Sequence, residues 1–363
     1  MFILESYTAA VLFCVITMIC WGSWGNSQKL AGKTWRYELF YWDYVFGVVL
    51  TALIFAFTLG STGEFGRGFL ADIKQAKPEW LASAFFGGIV FNAGNILLVA
   101  SIAIAGLSVA FPIGIGLALV LGVLINFIGD PGKGNPVLLF SGVGLVTVAI
   151  IVNAVAYTLL PKQKFEAEEQ TGDAAQSKGS STANGILLAV ACGILMSLFY
   201  FAVGRTIAGV QVDGKVLDLT VSALKDGGVL EAGKMTPYTA NFVFTLGVLA
   251  SSFVFVTIFM KKPVSGEPVP FSAYFKGTIR DHIWGLVGGG IWAVGMTLNV
   301  LASKVASPAV SYGLGQGATM VAAIWGVFVW KEFKNGTPTT DKMIYVMFVS
   351  FLAGLALIIL AGA

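Results

Sequence analysis

Ten stretches of roughly twenty mostly apolar residues follow one another along this chain, and no other feature constrains its fold as strongly. In hydrocarbon, backbone N–H and C=O groups must be satisfied within their own segment, so each stretch is expected to form a helix. The spans read as 7–28, 39–59, 80–105, 107–128, 137–159, 184–205, 238–260, 283–304, 306–330 and 343–361. Only 11% of the 363 residues are charged, where soluble domains carry roughly 25%. So few charges cannot clothe a water-facing surface. The expectation is an all-α integral membrane protein of ten transmembrane helices, embedded in a lipid bilayer, with no run of Lys and Arg dense enough to bind nucleic acid. Glu5 stands where a leader would carry basic residues, and the apolar run from Tyr7 continues into Trp21 and Trp24, so it is read as a first helix. Cys14, Cys20 and Cys192 fall within apolar spans, in no CxxC pair and near no His, so neither a disulfide nor a metal site is expected.

Residues 160–183 form a charged, Ser/Gly/Ala-rich linker between two five-span units, 1–159 and 184–363. The units echo each other. GGIVFNAG at 87–94 matches GGGIWAVG at 288–295, and LSVAFPIGIG at 107–116 matches PAVSYGLGQG at 308–317, both at one offset of 201 residues. Each unit has an odd number of spans, so the second enters the membrane from the opposite side and the repeats are inverted, an architecture that places a transporter's site near the midplane. Connectors 1–2, 5–6, 7–8 and 9–10 hold 13 of the 22 Lys and Arg. By the positive-inside tendency the linker is then cytoplasmic, in a cell (inner) membrane, and both termini are outside.

Asp43, in YWDY, is the one acidic residue within an apolar span. A charge there costs about 2.5–3.5 kcal/mol on insertion scales, which points either to a proton-coupling carboxylate or to pairing with Lys29, Lys33 or Arg36. Lys304 ends its span and reads as a snorkelling side chain. Asn92 and Asn95 share a helix face at i, i+3 and are expected to line a central cavity, with helix–helix glue as the alternative. Trp292, Gly295 and Asn299 form the equivalent face in the second unit. Trp21 offers a ring face for a sugar or a planar heterocycle, while Gly22 and Gly25 allow close approach or unwinding. Tyr312 and Gln316 stand at i, i+4 among Gly313, Gly315 and Gly317, opposite Pro112, Gly114 and Gly116 of the fourth span; such interruptions at equivalent places point to a substrate site. The expected substrate-binding set is therefore Trp21, Asn92, Asn95, Trp292, Asn299, Tyr312 and Gln316. No HExxH, GxSxG or Walker A sequence is present, so no enzyme activity, ATP drive or cofactor is expected. Gly142-Val143-Gly144 lies within a span and reads as packing.

GSW at 22–24, YWDY at 41–44 and the block GGIVFNAGN through AGLSV to LGVLIN at 87–126 resemble the drug/metabolite transporter superfamily, within it the ureide permeases and the related bacterial sugar-uptake and rhamnose–proton symport families. That resemblance implies import of a small polar solute with protons and both termini outside. Plant ureide permeases carry a nucleotide-binding-like motif in the central linker; this linker has no GxxxxGK[ST]. The expected function is a secondary transporter, monomeric or homodimeric, importing a sugar by proton symport. The alternatives are a ureide or nucleobase permease, a metabolite or drug exporter, and a structural or regulatory membrane protein.

Overall fold

Proline in the first turn, where its missing N–H costs nothing, opens five of the long helices, and Ser6, Asn135, Thr236, Thr278 and Thr337 cap helix starts through their side chains. The computed structural model describes residues 1–32, 35–130, 134–159, 182–263, 266–334 and 336–363. Its long helices are α1 (Tyr7–Ser23), α2 (Tyr37–Phe57), α3 (Pro78–Ala105), α4 (Leu107–Gly129), α5 (Pro136–Thr158), α6 (Thr182–Gly204), α7 (Pro237–Lys261), α8 (Ile279–Ala306), α9 (Pro308–Val329) and α10 (Pro338–Ala361). Among the described residues nine of these, α2 to α10, are long and apolar enough to cross a membrane. The first expected span departs from the reading: α1 has 17 residues, about 26 Å at 1.5 Å per residue, and the chain turns at Trp24-Gly25 into a separate short helix, Asn26–Leu30. The expected linker 160–183 lies outside the described residues, apart from its last two, which begin α6.

The distribution of side chains is that of a protein in lipid. Leu50, Ile54, Phe86, Leu187, Phe253 and Leu352 are exposed, while Thr17, Asn92, Ser252 and Asn299 are fully buried. Connector 207–237 contains an antiparallel sheet in the order β2-β1-β3, with β1 at Val210–Val212, β2 at Lys215–Leu217 and β3 at Val229–Leu230. Asp213 and Gly214, both at positive φ (48° and 78°), make the two-residue turn between β1 and β2.

Helix neighbours come in exchanged pairs. α3 packs on α6 as α8 packs on α1; α4 lies on α6 as α9 lies on α1; α3 crosses α7 as α8 crosses α2; and α2 with α7, α4 with α9 and α5 with α10 join the halves. Two of these crossings are closed by glycine. A Cβ on Gly88 would stand 2.0 Å from the Phe244 carbonyl oxygen, and one on Gly289, at the 201-residue offset, 1.9 Å from that of Tyr44. The joints after α3 and α8 correspond as well: Gly106 has φ 82° and ψ 156°, Ser307 φ 76° and ψ 152°. Gly142 of the GVG run meets the Gly354 carbonyl across α5 and α10, which is the packing role expected of it.

Hydrogen bonds sort the connectors into two ends. At the first end Met1 N donates to Phe65 O, Phe2 N to Leu59 O, Lys77 N to Gly233 O and Asn135 N to Ala361 O, so both chain termini sit there. At the second end Gly32 N donates to an Asp281 carboxylate oxygen, Arg280 to Leu30 O and Trp330 to Asn26.

Candidate functional site

The first end holds a cavity of about 450 Å³. Its walls are the ends of α4, α6 and α8, the start of α9 and the β-bearing connector. Asn126, Arg205 and Lys304 line it together with Asp130, Asp218 and Glu231. Lys304, expected only to snorkel, thus faces the cavity and approaches the Ile207 carbonyl at 3.4 Å. The Arg205 guanidinium stacks over the rings of Trp80 (5.4 Å) and Phe201 (5.9 Å) and makes no salt bridge among the described residues, whereas Glu231 is held by Gly209 N and Lys234.

None of the substrate-binding residues expected from sequence is among those lining this cavity. Asn92 is instead a tie between helices. Its carbonyl oxygen accepts from Tyr41 Oη at 2.7 Å, and its amide donates to Ser251 (2.8 Å) and Ser252 (3.0 Å) of α7, so both ends of the carboxamide are engaged. Asn95 donates to the same Tyr41 hydroxyl at 2.9 Å. This pair ties α2, α3 and α7 together and does not line the cavity at the first end. Tyr312 donates towards the carbonyls of Ala118 and Met196, and its ring lies against Gly122, where a Cβ would be 2.2 Å from Cε1. Gln316 ends the first segment of α9, Pro308–Gly315, and the helix resumes only at Ala318, so the Gly-rich interruption expected in the ninth span is present. Its counterpart is not: α4 runs unbroken through Pro112.

Trp21, Trp292 and Asn299 do come together. The Trp21 indole stacks on Trp292 with centroids 5.9 Å apart at 14°, and its Nε1 donates to the Trp292 carbonyl at 3.2 Å. Glycine makes the room: a Cβ on Gly295 would stand 2.8 Å from Trp21 Cδ1, and one on Gly315 would stand 2.8 Å from Trp21 Cζ3 and 3.0 Å from the Asn299 amide nitrogen. Asn299 donates to Ser311 O at 2.9 Å, but its side-chain oxygen, fully buried, has no hydrogen-bond partner among the described residues. Phe91, Phe244 and Tyr44 complete the aromatic cluster around Trp292.

Asp43 lies at the second end. It pairs neither with Lys29, which reaches Glu332, nor with Arg36, which reaches Glu38, and Lys33 lies outside the described residues. Its carboxylate is bonded by His282 Nδ1 (3.0 and 3.1 Å) and accepts from Tyr274 Oη at 2.5 Å, with 3% of the side chain exposed. Burial first, and then the Asp43 carboxylate, hold the Tyr274 hydroxyl above the usual phenol range, so it remains a donor at neutral pH.

Comparison with known proteins places this geometry. A family model described as ureide permease matches residues 40–184 and 160–361, nearly the whole bundle. The chain belongs to the ureide permease family. Among curated relatives, ureide permease 5 of Arabidopsis thaliana is 24% identical over 98% of this chain and 95% of its own length. Ureide permease 1 of the same plant is 22% identical over 99% and 98%. A probable ureide permease A3 of Vigna unguiculata is 22% identical over 93% and 99%. A solved crystal structure shares the fold with a TM-score of 0.59 at 14% identity, covering 96% of each chain.

As a ureide permease family member the protein is a multi-pass membrane transporter and not an enzyme, and the family match favours the ureide alternative over the sugar reading. Sequence reasoning missed two parts of the permease's geometry. His282 is the chain's single histidine, yet it is 239 residues from Asp43 and carries no local signal of the pairing. Arg205 and Asn126 look like ordinary residues at span ends until the fold brings α4, α6 and α8 together.

Proposed function

We propose that this chain carries a ureide-like or nucleobase-like solute by alternating access between two inverted five-helix repeats, coupled to a proton at Asp43. The observation that carries the reading is the difference between the ends, a cavity of about 450 Å³ at the first against a pocket of about 10 Å³ among the described residues of the second, in a chain that matches ureide permeases over nearly its whole length. The first end holds the cavity, while at the second end the Asp281, Asp43 and Arg280 contacts pull the starts of α2 and α8 together. The exchanged helix neighbours and the glycine pair at the 201-residue offset support the repeat. By the Lys and Arg count the cavity end faces outside, and uptake is the direction proposed.

The proton enters through the strength of the latch. An ionised Asp43 holds His282 and Tyr274 by charge-assisted hydrogen bonds, roughly twice as strong as neutral ones, so protonating it loosens the second end. The test is accumulation of labelled uracil or hydantoin in proteoliposomes, with and without an inward proton gradient and with excess glucose. Gradient-driven accumulation unaffected by glucose supports the reading. Accumulation independent of the gradient removes the proton, and competition by glucose restores the sugar. Asp43→Asn should cut concentrative uptake at least about tenfold while solute exchange continues, because exchange needs no net proton movement.

A further inference from the structure

The α8 face built from Trp292, Gly295 and Asn299 is covered by a side chain of its own protein. The Trp21 indole, a flat bicycle with one N–H, lies along it, and the glycines at 295 and 315 leave the space it fills. Two groups border this place, the Trp292 backbone carbonyl, which accepts from Trp21, and the Asn299 carboxamide, whose nitrogen a Cβ on Gly315 would approach at 3.0 Å. Trp21 has one donor and spends it on the carbonyl. The Asn299 side-chain oxygen, fully buried, has no partner among the described residues. A buried polar atom without a partner costs about 1–3 kcal/mol, a cost that a ligand with a second N–H removes.

We infer that this face is the seat of a planar heterocycle bearing at least two N–H donors, and that Trp21 is its gate, holding the seat in the present conformation and leaving it when solute arrives. The inference rests on the reading of the chain as a carrier of ureide-like or nucleobase-like solutes, and it deepens that reading by naming the chemistry that is selected. Flatness follows from the space itself, which is filled by an indole lying at 14° to the Trp292 ring with centroids 5.9 Å apart, while Phe91 (centroid 4.8 Å) and Phe244 (6.2 Å, stacked) border that ring. Donors are required because both acceptors are buried. A monosaccharide offers hydroxyl donors on a puckered ring and meets only the second condition.

The experiment compares binding of uracil and of 1,3-dimethyluracil, which keeps the ring and lacks both N–H groups, to the purified full-length protein by calorimetry. The inference expects uracil to bind at least about tenfold more tightly, because a site built to bond N–H groups rejects an analogue without them. Asn299→Ala should erase most of that preference. Trp21→Phe keeps a ring in place but removes the competing donor, and should tighten uracil binding several-fold; since Phe is a mild replacement, this variant reports even where Asn299→Ala does not fold. A uracil preference that survives Asn299→Ala, or uracil binding unchanged or weakened by Trp21→Phe, overturns the seat while leaving transport intact. If neither pyrimidine nor hydantoin binds or is carried by the unaltered protein, both the seat and the function beneath it fall.

Discussion

The two ends of the bundle are built from similar material to opposite effect. At the first end, charged side chains from α4, α6, α8 and the β-bearing connector stand around a 450 Å³ cavity. At the second, buried carboxylates are consumed by backbone and side-chain donors: Asp281 takes Gly32 N at 2.7 Å, Thr278 N at 2.9 Å and Thr278 Oγ1 at 2.7 Å, and Asp43 takes His282 and Tyr274. At the first end the charges that face the cavity come from several separate elements, while at the second the two carboxylates tie the start of α8 to the connector before α2 and to α2 itself.

The largest expected effect is at the waist joining the two ends. Gly289→Ala pushes a methyl into the Tyr44 carbonyl and should cost about 2–3 kcal/mol, read as a fall in melting temperature and in yield of monodisperse protein. An unchanged melting temperature would mean the halves are not held by this close crossing. Next comes the seal. Asp281→Ala removes the N-cap box of α8 and the bond to Gly32, and should cost about 1–2 kcal/mol while raising labelling of a cysteine placed at the second end. Unaltered labelling would show that the seal lies elsewhere. At the open end, Arg205→Ala loses only ring stacking, worth about 0.5–1 kcal/mol, so stability should hardly move while KM for uptake rises several-fold. A change in melting without a change in KM would reverse that assignment. The smallest effect is at the rim, where the Lys29 side chain is 51% exposed at 3.7 Å from Glu332: Lys29→Ala should change stability by less than about 1 kcal/mol.

Much of this organisation could be read from the chain. Span length follows from bilayer thickness, and Gly88 and Gly289, 201 residues apart, both stand where a side chain would meet a carbonyl of a crossing helix. The interruption at Gln316-Gly317 was legible from its glycines. The role of Asn92 was not, because whether a carboxamide is free or tied depends on Ser251 and Ser252 of another helix. Asp43 was legible as a costly carboxylate, but its partner was not, since the nearby cations on the chain turn to Glu332 and Glu38 instead. The shortness of α1 was hidden because Trp24 and Gly25 continue the apolar run while the backbone turns there.

Gly106 and Ser307 show what a joint one residue long does to movement. A flexible loop would let α3 slide without α4, and α8 without α9, dissipating any push from one end before it reached the other. A single residue in the left-handed half of φ space, with helix on both sides, leaves one pair of backbone dihedrals between the two helices. A displacement of α8 where it meets Asp43 is then expected to reach the Asn299 face and, through that one residue, the start of α9.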